Sequence, residues 1–112
     1  MRDVKYAMRF PTGEALPLVF YTGDRVTITA GVASSAEAAL PGSLVVVRAT
    51  HDMWIRFGQT GLGAAAAGDD SMLFPAGVEV VVTREDETHF RVIRAGADDA
   101  DVQIEKVEVQ RG

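Results

Sequence analysis

"SLVVVRATHDMWIRFG", residues 43–58, reads as two strands with a two-residue break between them. Val45 to Val47 is an unbroken β-branched run, the composition typical of a central strand. His51-Asp52 fits a tight two-residue turn. In "MWIRFG" the character alternates: Met53, Ile55 and Phe57 take one face, Trp54 and Arg56 the other. A run of apolar residues at period two, with no helical stripe beside it, points to a β fold.

The same pattern continues in both directions. Upstream, "DVKYAMRF" sets Val4, Tyr6, Met8 and Phe10 against Asp3, Lys5, Ala7 and Arg9. "PLVFYT" is a short apolar strand closed by Gly23-Asp24, and "RVTITA" points Val26, Ile28 and Ala30 inward. Residues 31–42 read as a connector, where Ser34 to Glu37 can cap no more than a turn of helix before Pro41-Gly42 stops it. Downstream come "SMLFPAG", broken by Pro75, then "VEVVVTR", an exposed turn at Glu85-Asp86-Glu87, "THFRVIRA", and a last strand "VQIEKVEV". Val102 and Ile104 share one phase of that strand, Val107 and Val109 the other. This predicts a bulge near Glu105-Lys106, or a final part that leaves the sheet to meet another chain. The expectation is one all-β domain over 1–112, an antiparallel β-sandwich or jelly-roll-like barrel of about eight or nine short strands.

Composition narrows the function classes. The chain has 112 residues, no Cys and a net charge of −5. Thiol chemistry, disulfides and Cys-ligated metals are excluded. An acidic balance argues against a nucleic-acid partner, which requires a basic face. The charged N-terminus lacks the apolar core of a signal peptide, and no apolar run nears the ~18–20 residues of a membrane helix. A soluble protein made in the cytoplasm is expected.

No assembled reaction site is legible. "GLGAAAAGDD", residues 61–70, approaches a dinucleotide fingerprint at Gly61-x-Gly63-x-x-Ala66, but a strand follows it, not the helix that would hold the phosphate. His51 and His89 lack a third ligand in their surroundings, and the His-x-His of a cupin is missing. Ser34, Ser35, Ser43 and Ser71 have no nucleophile-elbow context. The acidic turns at Asp69-Asp70 and Asp98 to Asp101 match no calcium-loop spacing and read as solvated tips. No enzyme activity, cofactor or metal is expected.

"LVVVRATHDMWIRFGQTG", "SMLFPAGVEVVVTREDETHFRVIRAG" and "DVQIEKVEV" together resemble small β-sandwich virion proteins of tailed bacteriophages. The likeness runs over about residues 40–109. It lies in the order of a Val-rich strand, an aromatic-Arg-Phe-Gly strand, an Ala-rich loop, a "FPAGVE" element, a polar hairpin and a closing strand. It implies a noncatalytic capsid decoration (cement) protein on the virion surface. Its partners would be the major capsid protein and copies of itself, as a homotrimer on local threefold axes. Head–tail connection and a tail or spike component are other roles within that class. The expected interface residues are Trp54, Arg56, Leu62, Ala64, Ala65, Ala66, Arg9 and Tyr6, with 61–70 a flat contact loop against a neighbouring subunit. The alternative is a carbohydrate- or receptor-binding module of a phage tail or fibre, which predicts Trp54, His51 and Tyr21 exposed together in one groove.

Overall fold

A computed structural model of the chain describes residues 7–11, 19–68 and 70–109. They form nine strands: β1 (Ala7–Pro11), β2 (Val19–Ala30), β3 (Ala38–Ala39), β4 (Leu44–Ala49), β5 (Met53–Gly58), β6 (Met72–Phe74), β7 (Gly77–Thr83), β8 (His89–Arg94) and β9 (Ala100–Val109). Two sheets result, a larger one in the order β1-β7-β4-β9-β2 and a smaller one in the order β3-β8-β5-β6. Every neighbouring pair is antiparallel.

The pairs are nested. β5 pairs with β6, β4 with β7, β3 with β8 and β2 with β9. The chain is thus one long hairpin, wound so that its limbs pass between the two sheets. That is the strand order of a jelly roll, with β1 added beside β7. The two-residue turn expected at His51-Asp52 is instead a bend over Thr50, His51 and Asp52, which carries the chain from the larger sheet to the smaller one and closes no hairpin. Asp52 anchors it: its Oδ1 accepts the Ala76 N–H at 2.8 Å and its carbonyl accepts the Ala95 N–H at 3.0 Å.

The core lies between the sheets. Val45 and Val47 of β4, Val81 of β7, and Val102 and Ile104 of β9 face Met53, Ile55 and Phe57 of β5, Phe74 of β6, and Phe90 and Val92 of β8. All ten are buried. Burying a side chain of this size contributes roughly 1.5–3 kcal/mol, so this layer supplies the main favourable term for the fold. A second, smaller cluster of Val46, Val80 and Val107 sits on the outer face of the larger sheet. It accounts for the unbroken Val run of β4, since both faces of that strand are covered.

Four local expectations are corrected. "PLVFYT" and "RVTITA" belong to one strand, β2, which carries an irregularity between Tyr21 and Arg25. Gly23 adopts φ 86° there, a backbone state that glycine reaches without steric cost. The irregularity expected near Glu105-Lys106 is therefore found opposite them, with the extra residues in β2 and not in β9. β9 stays regular, and its change of apolar phase is a change of buried face: Ile104 serves the inter-sheet core, Val107 the outer cluster. The connector 31–42 contains β3, two alanines that pair with Phe90 and His89. Glu87 is not an exposed turn residue. It is buried, and its Oε1 accepts the Arg84 N–H at 2.8 Å, closing the turn between β7 and β8.

Candidate functional site

The two outer sheet faces and the free sheet edges are the surfaces on which this molecule can act. On the smaller sheet, Trp54 stands in register between Leu73 and Ile93. Trp54 and Ile93 are half-buried and Leu73 is 45 % exposed. One step along, Arg56 is the cross-strand neighbour of Arg91, and the next row pairs Gly58 with His89. Alternation of β5 places these side chains outward, as its sequence implies.

The Gly/Ala loop folds back over this face of its own chain. Gly58 leaves room that the Leu62 side chain fills: a Cβ built at Gly58 would lie 2.6 Å from Leu62 Cδ1. Arg56 Nη1 donates to the Ala64 carbonyl at 3.2 Å, and Arg91 Nη1 donates to the Leu62 carbonyl at 3.0 Å. Arg91 Nε also donates to the Ser35 carbonyl at 2.8 Å. Ser34 Oγ accepts the Ala65 N–H, and Ser71 Oγ accepts the Ala66 N–H. One oxygen of Glu37 accepts both the Gly61 and Leu62 N–H groups, at 2.7 and 2.8 Å. The Leu62 N–H, then that of Gly61 and the charges of His89 and Arg91, hold the Glu37 carboxyl below its ordinary pKa, against the partial desolvation that opposes them.

The expected interface residues separate accordingly. Ala64 and Ala66 are exposed, Leu62, Trp54 and Arg56 are half-buried, and Ala65 turns inward and is buried by its own chain. Arg9 pairs with Val81 in β1, and Tyr6 lies outside the described residues. Of the pinning residues, Ser34 and Glu37 read in the sequence as caps of a helical turn, a role they do not take, and Arg91 was not singled out. Their signal was faint, an acid and a serine in a connector with no periodicity, and one arginine on an alternating strand.

The outer face of the larger sheet carries the other candidate surface. Arg48 Nη2 donates to Tyr21 Oη at 3.0 Å, and its guanidinium lies 5.2 Å from the ring centroid. Arg48, Thr27 and Gln103 line an open groove of about 300 Å³ with Thr50, Val78 and Asp101. Trp54 and Tyr21 therefore stand on opposite outer faces of the sandwich, and His51 on the turn that joins the sheets. A groove built of all three does not form.

The edges differ in kind. β3 has two residues, β6 has three and is followed by Pro75, and β1 has five and ends in Pro11. β2 has twelve, and among the described residues no strand lies on its far side. Phe20 and Tyr21, 51 % and 54 % exposed, stand near its outer end.

Among the described residues, no group of three or more His, Asp or Glu is placed to hold a metal ion, and no helix is long and apolar enough to cross a membrane. No protein-family model, no curated protein and no solved structure matches this chain, so its surfaces are read from their own geometry.

Proposed function

We propose that the protein is a noncatalytic structural component of a tailed-bacteriophage virion. In this reading it is a capsid decoration (cement) protein, made in the host cytoplasm, that binds between capsid subunits and to copies of itself. The observation that carries the reading is the open edge of β2. An edge strand presents unpaired N–H and C=O groups, and folded proteins blunt such edges with short strands, prolines or charges. Shortness or a terminal proline blunts β1, β3 and β6. β2 is long, and from Arg25 to Ala30 it carries a single charge in regular register with β9. An edge of this kind suits strand addition, in which main-chain bonds join two subunits and neighbouring side chains select the partner. The exposed Phe20 and Tyr21 beside it supply apolar area for such a contact. The jelly-roll strand order adds support by analogy alone, since the fold is common in capsid proteins and serves other functions too.

The test mixes the purified protein with phage capsid shells that lack it. Cosedimentation and a raised shell melting temperature are expected. Thr29→Lys, which sets a charge on the exposed face of the open edge, weakens binding while the free subunit stays folded by circular dichroism. Shells that neither bind the protein nor gain stability overturn the reading.

A further inference from the structure

The groove on the outer face of the larger sheet has the make-up of a small-ligand site. Register aligns Thr27 of β2, Gln103 of β9, Arg48 of β4 and Val78 of β7 in one row across four strands. Strands lie about 4.8 Å apart, so the row spans about 14 Å. Asp101 stands two residues further along β9, about 7 Å away on the same face, and Thr50 closes that end. The footprint matches a disaccharide.

The hydrogen-bonding state of these groups is informative. Arg48 is held in place by Tyr21 Oη, and Thr50 Oγ1 accepts the Asp101 N–H at 2.8 Å. The side chains of Thr27, Gln103 and Asp101 have no partner among the described residues. Thr27, Gln103 and Asp101 thus bring a hydroxyl, a carboxamide and a carboxylate with bonding capacity to spare to an open, mostly apolar groove, and the Arg48 guanidinium is turned toward Tyr21 at one end of it. Arg48 and Asp101 cancel in charge, which disfavours a strongly anionic or cationic ligand. Val78 offers apolar surface beside the polar groups, and the Tyr21 ring lies beyond Arg48 at the end of the groove. A pyranose has this mixed character, with hydroxyls around its rim and C–H groups on its faces.

We propose that this groove binds a neutral saccharide of one or two pyranose units. Gln103 and Asp101 take its hydroxyls, Arg48 donates to a ring or hydroxyl oxygen, and Tyr21 lies at the end of the groove. The groove lies on the sheet face and strand addition would use the backbone edge of β2, so the two share Tyr21 alone. It also differs from the constellation suggested by sequence: Trp54 has no part in it.

The experiment is an amide-resolved NMR titration of the full chain with maltose, cellobiose, lactose and diacetylchitobiose, each to about 50 mM, a range that detects millimolar binding. Saturable shifts confined to Thr27, Arg48, Thr50, Asp101 and Gln103 are expected with at least one of them. Gln103→Ala and Asp101→Asn each weaken that binding at least about fivefold, roughly one hydrogen bond to a polar group, with the rest of the spectrum unchanged. Three results would overturn the proposal. One is no saturable shift with any of the four sugars. Another is shifts centred elsewhere, as on Trp54. The last is binding unaffected by Gln103→Ala.

Discussion

Replacing Glu105 by Gln removes a buried charge from the bulge of β2 and keeps the size of the side chain. Glu105 is only 4 % exposed. One carboxylate oxygen accepts the Gly23 N–H at 3.1 Å, and the other lies 3.8 Å from Arg25 Nη2. A hydrogen bond to a charged group contributes about 1.5–3 kcal/mol and a neutral one about 0.5–1.5, so the Gln variant loses about 1 kcal/mol at Gly23. The Arg25 pair adds less than about 0.5 kcal/mol, because the Arg25 side chain is more than half exposed and water screens it. Relief of the buried charge acts in the opposite direction, and the Gly23 bond is expected to outweigh it. A net loss of about 1 kcal/mol lowers the melting temperature by about 4–6 °C in a chain of this size. Urea unfolding followed by the fluorescence of Trp54 measures it. Arg25→Ala serves as the control and moves the midpoint by less than half as much, and added salt removes only the Arg25 part. A Gln variant equal to or more stable than the parent refutes the reasoning. It would mean that burying the charge costs more than the Gly23 bond returns.

Three further outcomes follow from the packing. Gly23→Ala destabilises by about 1–2 kcal/mol through backbone strain alone, since φ is 86° and no atom lies within 4 Å of the added Cβ; denaturant titration measures it. Phe74→Ala, which empties a fully buried site on the three-residue β6, costs about 3–5 kcal/mol in the same assay. Glu37 has a folded pKa below the ordinary 4.5, so its contribution is present above that value and fades as pH falls toward the folded one. Hydrogen exchange at Gly61 and Leu62, each corrected for intrinsic rate, should show protection falling on acidification in the parent and already low in Glu37→Gln.

The strands were legible where burial on one face is the whole story. "MWIRFG" alternates in burial residue by residue as its pattern implies, and Val45, Val46 and Val47 are all buried as a β-branched run suggests. Legibility failed where geometry depends on a partner. Gly23-Asp24 looks like a turn because glycine and aspartate are turn residues, yet the backbone continues along β9 through a bulge. The phase slip of β9 could not be resolved without knowing that Val46 and Val80 cover a second face. β3 has no pattern at all, since two alanines carry no period. Of the surfaces, the outward Trp54-x-Arg56 pair was readable from alternation. The groove was not, because Thr27, Arg48 and Gln103 come from three strands whose adjacency exists only after folding.

The nesting of the strand pairs bears on how the chain reaches this state. Most contacts join residues far apart in sequence, which ordinarily means slow folding. Here the distant contacts are ranked. Ile55 meets Met72 first in sequence distance, then Ala49 meets Gly77, Ala39 meets His89, and Ala30 meets Ala100. Once the innermost pair has closed, each later pair has only a short stretch of chain to bring in on either side, so the entropy of loop closure is met in small steps. β2 and β9 close last along this route. The strand with the open edge is thus also the outermost layer of the winding, where it can be released without undoing the pairs inside it.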